Sequence, residues 1–284
     1  MMINRTRVPT YPESVLSSEE RAFRLQTTNQ RVLPNFIVIG AQKCGTTSLY
    51  RYLGQHPQIT MSAIKQVRYF DGGLDPKIDN YTRGIDWYRS FFPLEPELEE
   101  IGGITGEASP MYLFHPFAAE RIRRLLPEIK LIVLLRSPPQ RAISQYYHAL
   151  RAQEEDLPLM EALQSEELRL RHSFETEDYR SFSFVRHSYK SRGVYHTQLD
   201  RYFDKFPAEN ILVLKFEDFF QNLDKGLSRV FGFLGVEPDI KIENRDASGT
   251  GQNKAKPNKQ VMDYLDAYFA GPNEVLARDY DMVF

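Results

Sequence analysis

Strands alternating with helices predict an α/β fold in a single domain, a parallel central sheet flanked by helices. Three observations carry that reading. Asn35-Phe-Ile-Val-Ile-Gly40 and Lys130-Leu-Ile-Val-Leu-Leu135 are short unbroken apolar runs, the pattern of strands buried on both faces. Each runs into a loop and then a helical pattern. Asn210-Ile-Leu-Val-Leu-Lys-Phe216 is a third run, with helical patterns before and after it.

Taken in order, residues 1–33 are polar and read as an N-terminal arm with one helix around Ser17 to Leu25, ahead of a domain over 34–284. The first strand leads to a helix capped by Thr46 or Thr47, with Leu49, Tyr50 and Leu53 on one face and Gly54 and Pro57 to stop it. Pro116 to Leu126 is an amphipathic helix with proline in its first turn. Arg136-Ser-Pro-Pro connects the second strand to a helix from Gln140 to about Gln153. Glu154 to Ser191 is charged and aromatic without clear period, an insertion suited to walling a cleft. Helices over Thr197 to Phe206 and Leu223 to Leu234 flank the third strand.

The 284 residues carry 36 Lys+Arg against 38 Asp+Glu, a net charge of -2 that gives no footprint for nucleic acid. The lone Cys44 excludes a disulfide framework and a cysteine metal site, and suggests a reducing compartment, the cytoplasm. No segment resembles a signal peptide or approaches the ~20 apolar residues of a membrane span. His56, His148, His172, His187 and His196 show no ligand spacing, so no metal is expected. The acidic pairs Glu99-Glu100, Glu154-Glu155 and Glu166-Glu167 read as solvated faces.

The chemistry concentrates after the first strand. In Gly40-Ala-Gln-Lys-Cys-Gly-Thr-Thr-Ser48, two glycines allow close-approaching backbone, Lys43 supplies a mobile cation, and Thr46, Thr47 and Ser48 supply hydroxyls at a helix start. That suits a phosphate or sulfate cradle. It is not a Walker A loop, because Gly45 is followed by Thr46 and the lysine precedes that glycine. The same residues also suit an ordinary strand-to-helix turn with a solvated lysine.

Pro34-Asn-Phe-Ile-Val-Ile-Gly-Ala-Gln-Lys-Cys-Gly-Thr-Thr-Ser-Leu resembles the 5'-phosphosulfate loop of sulfotransferases that use 3'-phosphoadenosine 5'-phosphosulfate (PAPS), of the heparan sulfate and bacterial carbohydrate type. Lys130-Leu-Ile-Val-Leu-Leu-Arg-Ser-Pro-Pro-Gln-Arg-Ala-Ile-Ser-Gln-Tyr-Tyr is similar to that family's 3'-phosphate element. Asp86-Trp-Tyr-Arg-Ser-Phe-Phe-Pro, Arg192-Gly-Val-Tyr-His-Thr-Gln-Leu and Gly271-Pro-Asn-Glu-Val-Leu-Ala-Arg-Asp-Tyr follow in family order. The resemblance implies a P-loop-kinase-like sulfotransferase fold. It implies PAPS as donor and adenosine 3',5'-bisphosphate (PAP) as product, held by Gln42, Lys43, Cys44, Gly45, Thr46, Thr47, Ser48, Arg136, Ser144, Tyr195 and a basic loop with Lys254 and Lys256.

The catalytic region departs from the family. Where the resemblance implies a glutamate base after a lysine, this chain has Lys65-Gln66, and an amide cannot take the proton. Eukaryotic relatives also carry a lysine where Ala108 stands. His115 or Glu107 can replace the base, with Gln66 left to hydrogen-bond the acceptor, and Lys65 and Arg68 are candidates to hold an anionic acceptor. The expected function is O-sulfation of a hydroxyl-bearing sugar, lipid or carrier-tethered acceptor. The alternatives are a nucleotide-binding relic that lost its base, or a small-molecule kinase, which the missing Gly-Lys-[ST] disfavours.

Overall fold

The computed structural model describes residues 16–75, 77–245 and 257–284. Helix α1 (Ser18–Gln26) precedes β1 (Phe36–Gly40), α2 (Thr46–Leu53) and β2 (Ile59–Met61). Short helices α3 (Ile85–Arg89) and α4 (Glu95–Glu100) lead to β3 (Ile104–Ala108), α5 (Ala118–Leu125) and β4 (Lys130–Leu135). Then come α6 (Pro138–Arg151), α7 (Leu159–Gln164), α8 (Glu166–Glu175), α9 (Phe182–Arg186) and α10 (Tyr195–Phe203). The chain ends with β5 (Ile211–Lys215), α11 (Phe216–Gln221), α12 (Leu223–Leu234) and α13 (Lys259–Tyr280).

The five strands form one parallel sheet in the order β2-β3-β1-β4-β5. β1 is therefore central, with Phe36 beside Gly106 of β3 on one side and Lys130 of β4 on the other. Every residue of β1 and the last five of β4 are buried, which is why both read as unbroken apolar runs. The chain leaves β1 toward β2 on one side and later crosses from β3 to β4 on the other, and such sheets bind ligands at the carboxyl ends of the strands beside that reversal.

The predicted helices form with shifted starts. α5 begins at Ala118, because His115–Phe117 make a turn closed by the Ala118 N–H to the His115 carbonyl at 3.2 Å. α6 begins two residues early, at Pro138, where a missing N–H costs nothing. The aperiodic insertion holds α7, α8 and α9, and here the acidic pairs need correction. Glu155 is buried, accepting Arg169 at 2.5 Å and the Tyr189 hydroxyl at 2.7 Å. Glu166 is buried too, accepting the backbone N–H groups of Lys190 and Ser191 at 2.5 and 2.8 Å. Ahead of β1, Arg31 donates to the Phe92 carbonyl at 2.7 Å.

Candidate active site

Gly40 lets the end of β1 approach the segment after β3: a Cβ there would lie 2.5 Å from that of Leu113. Gly45, at φ 82°, caps the start of α2 in a conformation that side chains disfavour, and a Cβ would meet the Phe220 ring at 2.6 Å. The loop is thereby pinned so that the first-turn N–H groups of α2, which have no intrahelical acceptor, open at the sheet's carboxyl edge. Burial lowers the Lys43 pKa to about 8, and Arg151, Arg141 and Arg136 push it the same way.

Two assigned residues of this loop turn inward. Cys44 is wholly buried, its thiol 3.7 Å from the Tyr195 hydroxyl and its N–H bonded to the Ala41 carbonyl at 3.2 Å, so neither group is open to a ligand. Tyr195 is likewise buried and donates to the Arg136 carbonyl at 3.0 Å, joining the end of β4 to the loop rather than presenting its hydroxyl. Gln42 accepts from Arg192 through its side-chain oxygen. Thr46 and Ser48 are buried, while Thr47 and Ser144 are half-buried. Lys254 and Lys256 lie outside the described residues.

The second half of the cradle comes from α6. Arg141, Ser144, His148 and Arg151 recur at helical spacing on one face, and Arg141, Arg151 and His148 each perturb or are perturbed by Lys43. Burial first, then Lys43, Arg151, Arg186 and Arg192, depress the His148 pKa to about 4. Sequence reasoning named only Ser144 of this stripe, although its spacing was visible.

Guanidinium donors are left open here, although Glu217 stands nearby, accepting the Ser137 N–H at 3.1 Å. Arg141 is fully buried and donates to the Tyr189 carbonyl, yet its Nε and Nη1 have no acceptor among the described residues. Arg192, 2% exposed, gives its Nη2 to the Phe184 and Val185 carbonyls at 2.8 and 2.6 Å, and its Nε is unmatched. Arg136 reaches Gln140 at 3.1 Å with its Nε unmatched. Buried guanidinium donors left open carry a desolvation cost that an anion would relieve.

Across β3 lies the predicted catalytic region. Glu107 is 0% exposed, and both carboxylate oxygens are taken: Oε1 accepts Tyr88 at 2.8 Å and Tyr112 at 3.1 Å, Oε2 accepts Ser109 at 2.6 Å. Burial outweighs these donors and raises its pKa to about 7. It is a support beneath the site and not an open base. Arg68 is not an open cation either, being buried and paired with Asp71 at 2.8 Å.

His115 needs the clearest correction. It is 3% exposed, faces the rings of Phe117, Tyr179 and Phe184, and accepts the Phe117 N–H at Nδ1 over 3.3 Å. Burial lowers its pKa to about 4 against the pull of Asp71, and Arg121, Arg68 and Arg201 push the same way as burial. An imidazole so walled and so weakly basic is packing. His115→Ala is expected to cost about 1–3 kcal/mol in denaturant-induced unfolding and to leave the rate–pH profile in place; loss of a pH limb in that variant would restore its catalytic role.

Among the described residues no cluster of His, Cys, Asp and Glu is arranged to hold a metal ion, and no helix is long and apolar enough to cross a membrane. The sulfotransferase domain family matches residues 33–263. The chain is 31% identical over 216 residues to human bifunctional heparan sulfate N-deacetylase/N-sulfotransferase 1, covering 73% of this chain and 22% of that protein. It is 42% identical over 119 residues to the membrane-associated sulfotransferase kil1 of Dictyostelium discoideum, 42% of this chain and 24% of that one. The chain thus spans about a quarter of the length of these curated relatives. A solved sulfotransferase from Alicyclobacillus acidocaldarius superposes with a TM-score of 0.67 at 30% identity, covering 89% of this chain and 98% of that one. With the loop, the strand order and the unmatched guanidinium donors already in place, the match over most of its length means that this chain belongs to the sulfotransferase family.

Proposed function

We infer that this domain transfers a sulfuryl group from PAPS to an acceptor, releasing PAP, with no metal in the step. What carries this reading is the set of unmatched buried donors on Arg136 and Arg141 beside Lys43, together with that of Arg192, which donates to the neighbouring Gln42. Gly45, Thr46, Thr47 and Ser48 would hold the 5'-phosphosulfate, and Arg136 with Ser144 the 3'-phosphate, as the resemblance implies. Lys254 and Lys256 would close over the nucleotide. Lys43 would meet the charge that builds on the bridging oxygen as the S–O bond breaks.

The acceptor we propose is a hydroxyl on a saccharide, lipid or carrier-tethered chain, in a bacterial-type enzyme; the single buried thiol favours the cytoplasm. N-sulfation is the second reading, favoured by the human relative's N-sulfotransferase half. Transfer from sulfur-35-labelled PAPS to chitosan oligosaccharides, which offer hydroxyl and amine groups together, tests both. Acid-stable label is expected on oxygen; label lost with nitrous acid cleavage would favour nitrogen. No transfer to any such acceptor despite PAP binding would turn the reading toward a nucleotide-binding relic.

A further inference from the structure

With His115 walled in and Glu107 fully bonded, the acceptor proton has no carboxylate or imidazole to go to at the positions the sequence offered. The segment 62–71 runs along the carboxyl end of β3. Ser62 N–H donates to the Gly106 carbonyl at 2.8 Å, Gln66 N–H to the Ala108 carbonyl at 3.1 Å, and Arg68 N–H to Ser109 Oγ at 3.2 Å. Gln66 and Arg68 hold φ of 65° and 56°, left-handed values that non-glycine residues keep only where the surroundings enforce them. Lys65 is therefore fixed from both sides, beside β3 and one strand away from β1, whose loop carries Lys43.

Among the described residues no ion pair or hydrogen bond engages Lys65 Nζ. The charged groups that face it are Glu107 on β3, Lys43 on the loop after β1 and Arg51 on α2. We propose that Lys65 is the general base of the transfer, its neutral amine taking the proton of the acceptor as the acceptor attacks sulfur. The acceptor's oxygen or nitrogen forms a bond to sulfur. The bond from sulfur to the bridging oxygen breaks, and its electron pair leaves with the 5'-phosphate of PAP. The proton passes to Lys65 Nζ and from there to water, with no further reactant consumed.

Burial, with Lys43 and Arg51, holds the Lys65 pKa down at about 8 against the pull of Glu107, so the amine is available near neutral pH. An ordinary lysine, near 10.4, would be protonated there. The arriving donor is met by the arginines and Lys43, which leaves Lys65 unpaired. Where the resemblance implies a glutamate base, at the next position, this chain has Gln66; the amine of the neighbouring residue takes over the proton.

The inference rests on the donor reading above. With PAPS saturating and chitosan oligosaccharides as the probe acceptor, wild-type kcat should climb with pH through about 8 as the Lys65 amine becomes neutral, and fall again only where Lys43, held charged above its own value of about 8 by the bound phosphosulfate, loses its proton. Lys65→Arg keeps the charge and never becomes neutral. Its kcat should fall by ~10²–10⁴-fold and the pH limb should disappear, with PAP affinity unchanged. Adding Gln66→Glu to Lys65→Arg should recover much of the rate, with the limb moved down toward the carboxylate range, about 4.3 when unperturbed. A flat wild-type profile, or a Lys65→Arg variant that keeps wild-type kcat, overturns the role of Lys65 while leaving donor binding intact; failure of the wild type to bind PAP overturns both.

Discussion

Lys43→Ala is expected to lower kcat by about 10²–10³-fold, the loss that follows when one preorganised donor to a developing oxyanion is removed, and to weaken PAP by roughly tenfold or less. The asymmetry follows from where the charge lies. In the bound donor the bridging oxygen between phosphorus and sulfur carries little charge; as sulfur departs it becomes a phosphate oxygen. A cation aimed there stabilises the transition state more than the ground state. Lys43 suits this because the left-handed turn at φ 72° and the cap at Gly45 hold it where α2 begins, and because burial keeps water from screening it. Stopped-flow or steady-state kinetics beside calorimetric PAP titration measure the two effects. Equal losses in both would mean that Lys43 only binds.

Arg136→Ala is expected to weaken PAP by about 10- to 100-fold, and adenosine 5'-monophosphate, which lacks the 3'-phosphate, hardly at all. The magnitude is that of charge-assisted hydrogen bonds at about 1.5–3 kcal/mol. The side chain is poised for it: it lies over the Phe216 ring at 5.0 Å, Gln140 holds one end at 3.1 Å, and Nε is buried with no acceptor among the described residues. Parallel calorimetry with the two nucleotides decides the matter, and equal losses would remove Arg136 from the 3'-phosphate. Arg136→Lys should recover only part of the affinity, since an ammonium cannot reproduce the planar fork.

The sheet was legible where its strands are uniformly apolar, as in β1, β4 and β5. β2 was hidden by its brevity. β3, Ile104-Thr-Gly-Glu-Ala108, was hidden by Glu107, since a carboxylate inside a buried strand inverts the usual cue and only Tyr88, Tyr112 and Ser109 explain how it is tolerated. α13 was missed because Gly271-Pro272 reads as a break, while the Asn258 cap on Val261 N–H at 2.9 Å and the buried Leu265 and Phe269 form a helix around it.

For the site, the loop around Lys43 and the element from Arg136 to Ser144 were readable as local patterns. Arg141 and His148 were also within reach, as the i-3 and i+4 neighbours of Ser144. The fate of His115 was not. The rings that wall it, Tyr179 and Phe184, come from the insertion more than 60 residues on, and no local pattern shows them. Arg68 lies between: its partner Asp71 sits three residues later, so the neutralising pair was open to view.

The unmatched arginines around Lys43 have a consequence for the life of the protein in a cell. Without nucleotide the fold holds cations at a desolvation cost, and burial first, then neighbouring arginines, lower the Lys43 and Arg192 pKa values. A ligand bound only by the native state adds RT ln(1 + [L]/Kd) to stability, about 2.7 kcal/mol at a hundredfold excess over Kd. Shifts of one to two kcal/mol in a marginal protein change its abundance several-fold. On the proposed donor reading, bound nucleotide would thus protect this chain from proteolysis as well as supply its reaction.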